Sequence, residues 1–387
     1  MEYKKINELT AVVTGGTPST RKNEYWDNGD IPWLQSGCCQ NCDVDSTEKY
    51  ITKEGYNNSS THKMPADTVM IALTGATAGK VGYLKFEACG NQSITGILPC
   101  ESLNQRYLFF YLLSQREKIL ADCVGGAQAH ISQSYVKNMT IPILAIKEQE
   151  QIVGELTKLS NIVSLRQEEI QQLDALIKAR FVELFGDENN SKNWDVVNIE
   201  EVADVQVGVV IKPSQYYTDK SEGVRTFRSL NIGAGFIKDN DWVYFTKEGH
   251  QKNSKSILKK DDLLIVRSGA PGTACVVTEE YAGCNAVDII IAHPDCKKVN
   301  PYYLCTFTNM PHGKKQIDEG IGGAAQQHFN VGKYNKLQLM LPPKTLQDEF
   351  AGFIKQVDKS KFDTMTLAPI YAIINLYLYT YFYQGKR

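Results

Sequence analysis

Apolar residues recur at alternating steps of three and four through the middle of the chain: Leu156, Leu159, Val163, Ile170, Leu173, Ile177 and Leu184, with Arg166 and Arg180 in the remaining seam positions. This heptad stripe predicts an α-helix over residues 147–185, closed by Gly186, whose residue type suits the left-handed backbone of a helix C-terminus. At 1.5 Å per residue the helix would be roughly 55–60 Å long. So narrow a stripe on an acidic helix needs a partner to cover it. Phe350, Ile354 and Val357 begin a similar pattern, which weakens where Lys361 and Thr364 take seam positions and Pro369 interrupts. The two helices are expected to pair antiparallel. The alternative is a helical linker and an unrelated C-terminal helix. Elsewhere, residues 67–73 and 261–266 read as buried strands entering glycine loops, and residues 103–120 as a helix. The expected class is α+β.

The chain is written twice. Lys53-Glu54-Gly55 recurs as Lys247-Glu248-Gly249, Thr74-Gly75-Ala76 as Ser268-Gly269-Ala270, and Asn91 as Asn285, all at an offset of 194 residues. The register then drifts. Gly125-Gly126-Ala127-Gln128-Ala129-His130 parallels Gly322-Gly323-Ala324-Ala325-Gln326-Gln327-His328, and Ile141-Pro142 parallels Leu341-Pro342. A polar start and an apolar-periodic run follow each copy. A long period used only twice indicates tandem duplication rather than a solenoid. The expected organisation is a β-rich globular domain over 1–145, a helical spacer over 146–186, a second β-rich domain over 187–345 and a helical region over 346–387. The two domains would be related by a pseudo-two-fold axis.

Composition changes this picture little. Apolar content is 42% and charged content 22%, ordinary for a folded chain. The ten cysteines are scattered and no signal peptide is evident, so reduced thiols in a cytoplasmic protein are expected. Residues 370–383 are apolar and tyrosine-rich but short of the ~20 residues that span a bilayer, so a packed helix and no membrane are expected. Net charge is −2, but unevenly placed. Residues 144–205 carry six basic and thirteen acidic side chains, residues 206–345 eighteen basic and thirteen acidic. The later segment is the better place to seek phosphate contacts.

Candidate chemistry points to binding rather than catalysis. Gly75-Ala76-Thr77-Ala78-Gly79-Lys80 is one residue too short between its glycines for a nucleotide loop and lacks the hydroxyl residue after lysine. Such a loop can instead bring N–H groups and the hydroxyls of Thr74 and Thr77, with Lys80, to a DNA phosphate; Ser268 and Thr273 stand in the second copy. Cys39 and Cys42 form a single Cys-x-x-Cys without a second pair, so packing or free thiols is favoured over zinc and no metal is expected. Gln128 with His130, and Gln326, Gln327 and His328, occupy matching glycine-rich loops suited to base or phosphate contact; hydrogen-bonded loop residues are the alternative. Arg225, Arg228 and Asn231 lie in residues 225–231, which read as a strand and the loop leaving it, where the first copy carries Gln35 and Ser36. Arginine and amide side chains make paired hydrogen bonds to guanine or adenine. Lys252 and Lys255 lie in a basic run that either tracks a phosphate backbone or is a solvated face.

Thr14-Gly15-Gly16-Thr17-Pro18-Ser19, Tyr25-Trp26 and Ile31-Pro32-Trp33, then the loop 74–79, Gly126-Ala127-Gln128, Ile141-Pro142 and Glu148-Gln149-Glu150-Gln151-Ile152 together resemble type I restriction-modification specificity subunits. The second copy shows the same skeleton less cleanly. The resemblance implies two target recognition domains, each reading one half of a split double-stranded DNA target, with Thr17 and Ser19 among the contacts. It implies helices that set the spacer and dock two methyltransferase subunits, and two motor-nuclease subunits completing the complex. S-adenosylmethionine, ATP and magnesium would belong to those partners, with no cofactor or catalytic residue in this chain. Residues that keep the backbone in shape repeat, whereas Gln35 and Ser36 differ from Arg228, Ser229 and Asn231, which predicts two unlike half-sites. The apolar, aromatic run after Pro369 departs from the charged last helix of the family. Two other readings remain open: a nuclease or methyltransferase with its own active site, and an interaction scaffold with decayed DNA contacts.

Overall fold

The structure, a computed structural model, describes residues 2–123, 130–321 and 329–365, and residues 374, 377 and 378. The chain divides into two compact units, Met1–Gln167 with Thr366–Arg387, and Glu168–Met365.

In the first unit the strands are β1 (Glu2–Lys5), β2 (Val12–Thr14), β3 (Ile31–Leu34), β4 (Cys42–Val44), β5 (Tyr50–Ile51), β6 (Val69–Ala72), β7 (Val81–Leu84), β8 (Cys89–Gly90), β9 (Ile94–Ile97) and β10 (Thr140–Ile143). The helices are α1 (Ile6–Leu9), α2 (Lys53–Asn57), α3 (Gln105–Ser114), α4 (Arg116–Ala121), α5 (Gln133–Asn138) and α6 (Ile146–Phe185), the last shared with the second unit. The second unit adds β11 (Val196–Asn198), β12 (Ala203–Val207), β13 (Tyr217–Thr218), β14 (Val224–Phe227), β15 (Val243–Phe245), β16 (Leu263–Val266), β17 (Ala274–Val276), β18 (Asn285–Ala286), β19 (Ile289–Pro294) and β20 (Gln338–Met340). Its remaining helices are α7 (Lys247–Lys252), α8 (Pro301–Asn309), α9 (Pro311–Ile321), α10 (Val331–Asn335) and α11 (Lys344–Met365).

The topology repeats. Sheet order β2-β9-β6-β7-β4 in the first unit answers β12-β19-β16-β17 in the second, and β5-β3-β8 answers β15-β14-β18, which β13 extends. In both copies the short strand runs parallel, β3 with β8 and β14 with β18. The expected buried strands are β6 and β16, enclosed on both faces. The helix expected over 103–120 is broken at Gln115 into α3 and α4. Thr52 and Thr246 accept the N–H of Gly55 (3.1 Å) and Gly249 (3.0 Å), so the repeated Lys-Glu-Gly is a capped helix start in both copies.

One anchor of the sequence repeat is corrected. Asn285 pairs with Thr226 as Cys89 pairs with Trp33, and the hydrogen bonds leaving the strand ends match Asn91 to Val287: Asn91 N–H donates to Leu34 O and Val287 N–H to Phe227 O, each at 2.9 Å. Asn285 is instead buried, held by His250 and Ser256.

The long helix spans Ile146–Phe185, as its periodicity predicts, and Gly186 ends it at φ +88°. Its apolar seam is not uniform. Ile152 and Leu156 are buried in the core of the first unit. In the second, Phe181 and Phe185 carry the packing, in ring contact with Tyr303 and Phe350, while the predicted seam residue Leu184 is only half-buried. Within that unit α6 and α11 run antiparallel: Arg180 pairs with Glu349 (2.7 Å) and Asp174 with Lys361 (2.6 Å). Lys361, a weak point in the apolar pattern, is thus an ion-paired seam position. Ile374 and Leu378, from the atypical apolar end of the chain, are buried in the core of the first unit beside Ile152 and Leu156.

The same polar lock joins each helix to its own globular unit. Gln149 is fully buried; its Oε1 accepts Asn104 N–H (2.8 Å) and its Nε2 donates to Leu144 O (2.9 Å). Gln347 does the same with Asn300 N–H (2.8 Å) and Pro342 O (2.8 Å). Tyr107 and Tyr303 complete the pair, donating to Pro142 O (2.9 Å) and Met340 O (2.7 Å).

Candidate nucleic-acid interface

In both units the ends of the short parallel strands gather three loops. In the first, Gly15 N–H donates to Ile94 O (3.2 Å), Gly16 N–H to Gly90 O (2.8 Å) and Asn91 N–H to Leu34 O (2.9 Å). In the second, Gly208 N–H donates to Ile289 O (2.9 Å), Val209 N–H to Ala286 O (2.8 Å) and Val287 N–H to Phe227 O (2.9 Å). Gly15 and Gly208 are required by close approach, since a Cβ would fall 2.1 Å from Gly90 O and 2.3 Å from Ala286 O. These matched bonds set equivalences by position: Thr17 with Val210, Pro18 with Ile211, Gln35 with Arg228, Gly37 with Leu230 and Gln92 with Asp288.

The first unit forms a cleft of about 820 Å³ at this place, which brings Thr17 and Gln35 together with Trp26, Lys49, Tyr50 and Gln92. Thr17 Oγ1 donates to Gln92 Oε1 (2.5 Å), and both side chains are exposed. Trp33 forms the floor, its indole N–H on Gly16 O (3.0 Å), with Trp26 edge-on at 5.0 Å. Gln35 is exposed at the exit of β3, and Ser36 half-buried in the turn that follows. Ser19 is exposed and its carbonyl accepts the Trp26 indole N–H (3.1 Å). Sequence reasoning missed Gln92, Lys49 and Tyr50 because they join the cleft only through long-range pairing; Thr17 and Gln92 stand 75 positions apart, with no local signal linking them.

The glycine loop forms a second cluster. His130 pairs with Thr74 as an isolated antiparallel bridge, Thr77 Oγ1 donates to Thr74 O (3.3 Å) and Lys80 Nζ donates to Gln40 Oε1 (2.6 Å). Gly79 and Gly272 sit at φ +73° and +75°, where a Cβ would also press on Ile119 and Ile317. Ser268 and Thr273 occupy the matching loop, half-buried. Gln128, Gln326, Gln327 and His328 lie outside the described residues.

Several polar candidates in the second unit are already committed. Asn231 is a correction: it is fully buried, its Oδ1 accepting Arg228 N–H (2.9 Å) and its Nδ2 donating to Asn240 O (2.7 Å), so it shapes a turn and faces no base. Arg225 lies over Trp242 and Tyr281, 5.2 and 5.5 Å from their ring centres, with Asp239 and Glu280 nearby. Arg228 donates to Asp241 O (2.5 Å) and pairs with its carboxylate (3.3 Å). Lys252 pairs with Glu248 (2.6 Å) at an exposed i, i+4 position, whereas Lys255 is exposed without an ion pair among the described residues.

Among the described residues no group of three or more His, Cys, Asp or Glu side chains is arranged to hold a metal. Cys38, Cys39 and Cys42 are free thiols; hydrogen bonding with Cys39 pulls the Cys38 thiol down, and the same contact with burial pushes Cys39 well up. No described helix is long and apolar enough to cross a membrane.

Two copies of one α+β unit that present divergent loops from a shared frame define a duplicated recognition protein. Its family is given by sequence comparison: the model for the type I restriction modification DNA specificity domain matches residues 1–175 and 191–370, and the chain belongs to this family. It is similar to the specificity subunit of the Escherichia coli type I restriction enzyme EcoR124I/EcoR124II, 33% identical over 169 residues, 42% of each chain. The MjaIX specificity subunit of Methanocaldococcus jannaschii is 21% identical over 380 residues, 92% of this chain and 86% of that one. The crystal structure of a type I S subunit from M. genitalium shares the fold, with TM-score 0.54 and 15% identity over 97% of this chain and 93% of that one.

Proposed function

We propose that this chain is the non-catalytic DNA-reading subunit of a type I restriction-modification complex, each unit reading one half of an asymmetric, split target. The observation that carries this reading is the matched loop frame with unmatched side chains: Thr17, Gln35 and Gln92 stand where Val210, Arg228 and Asp288 stand in the other copy. Backbone positions that repeat hold the reading surface in place; loops whose side chains do not repeat present different chemistry to the bases. A homodimeric reader of one such unit would select a palindrome, whereas two diverged copies in one chain select unlike halves. The long helices serve as spacer and as docking surface for two methyltransferase subunits, and two motor-nuclease subunits complete the assembly. S-adenosylmethionine, ATP and magnesium enter with those subunits, and the complex works in the cytoplasm.

The test is to co-purify the chain with its methyltransferase partner and map methylation on genomic DNA. A bipartite, asymmetric motif is expected, and replacing residues 187–345 with another second recognition domain should change one half of it. A contiguous or palindromic motif, a change in both halves, or DNA cleavage or methylation by the isolated chain would refute the proposal.

A further inference from the structure

The positional equivalences have a chemical consequence. Where the first unit presents the Thr17 hydroxyl the second presents Val210, and the same two loops carry further apolar side chains, Ile211 in the place of Pro18 and Leu230 in the place of Gly37, while Arg228 and Asp288 stand for Gln35 and Gln92. Val210 is 48% exposed and Ile211 80%; Leu230 is 58% exposed and Phe236 51%. Single exposed apolar residues are ordinary, but several gathered at one place mark a contact surface. Backbone bonds tie both loops to Val287. Its N–H donates to Phe227 O, at the start of the 228–237 loop, and it bridges Val209, at the start of the 209–212 loop. The 228–237 loop closes on itself through Gly233 N–H to Phe236 O (2.9 Å) and is tied to the first residue of β17 through Gly235 N–H to Ala274 O (2.8 Å).

The nearby guanidinium does not take the reading role, because Arg228 is bound to Asp241. Lys212, at φ +43° beside Ile211, makes no ion pair among the described residues. An apolar tip with a neighbouring free cation, in the stretch of the chain with a basic excess, fits a DNA groove: the cation meets a phosphate and the apolar groups meet the one apolar feature of the groove edge. That feature is the thymine 5-methyl group, which no other base carries.

We propose that the second unit reads its half of the target chiefly through thymine 5-methyl contacts made by Val210, Ile211 and Leu230, with Lys212 on the adjacent phosphate, whereas the first reads by hydrogen bonds from Gln35 and Gln92. This rests on the DNA-reading function proposed above. The occupant of the apolar patch is therefore DNA rather than a protein subunit.

The experiment uses the complex assembled with its methyltransferase partner and duplexes of the mapped target in which deoxythymidine is replaced by deoxyuridine, which removes only the methyl group. In the half read by the second unit, each contacted methyl lost should weaken binding by about fourfold, the worth of one apolar carbon. The same replacement in the other half should change nothing, and in the double variant Ile211→Asn, Leu230→Ser the deoxyuridine penalty should shrink to what Val210 alone supplies. The proposal is overturned if the second half contains no thymine, if deoxyuridine has no effect there, or if it acts equally in both halves. It is overturned too if the double variant fails to co-purify with the methyltransferase while deoxyuridine is silent, since the patch is then a protein interface. Failure of the underlying function reads differently, as indifference to any base change in either half.

Discussion

Replacing Gln149 with leucine removes a buried amide that ties the long helix to the first unit. Two partners lose their bonds, the N–H of Asn104 (2.8 Å) and the carbonyl of Leu144 (2.9 Å), while a weaker contact to Ser102 O (3.4 Å) is lost as well. Each orphaned group costs about 1–3 kcal/mol when buried. Asn104 and Leu144 are only half-buried, so water recovers part of that cost, and leucine adds some apolar burial. The net loss is about 2–3 kcal/mol. For a unit of this size about 2–4 °C is lost per kcal/mol, so its melting transition should fall by roughly 5–10 °C. Gln347→Leu removes the matching lock in the second unit, where the bond to Pro342 O is fully buried, and should cost at least as much there. Differential scanning calorimetry with the two transitions assigned by near-ultraviolet spectra of the single variants is the assay. The reasoning fails if either variant loses less than about 1 kcal/mol, or if both lower the same transition, since each glutamine would then not serve its own unit.

Other outcomes follow from single sites. Phe181→Ala opens a cavity among Phe185, Tyr303 and Phe350 and should destabilise the second unit by about 3–5 kcal/mol in urea titration. Gly79→Ala places a Cβ 2.9 Å from Ile119 at φ +73° and should cost about 1–3 kcal/mol in the first unit, whereas Gly37→Ala, with open space around it, should leave its melting unchanged. In timed alkylation read by mass spectrometry, exposed Cys42 and Cys296 and the activated Cys38 should react before buried Cys39, Cys275 and Cys305; early labelling of Cys305 would contradict its burial.

Periodicity and repetition, which depend on neighbours a few residues apart or on copied segments, were legible in the chain alone. The stripe from Leu156 to Leu184 marked the 40-residue helix, and the recurring Lys-Glu-Gly and glycine loops marked the duplication. Long-range packing decided the rest. Phe181 and Phe185 displaced Leu184 as the buried face because the aromatic side chains of Tyr303 and Phe350 meet them there. Asn231 looked like a base reader by residue type, yet burial and two backbone bonds make it a turn-former. Lys361 interrupts the apolar seam in the sequence, and Asp174 across from it makes the position an ion pair. The apolar tail, odd as a family feature, takes its meaning from Ile374 and Leu378 entering the first unit's core. Residue type and spacing specify a local conformation, but whether a polar group is free to read DNA depends on partners supplied by segments tens of residues away, and only the folded chain brings those together.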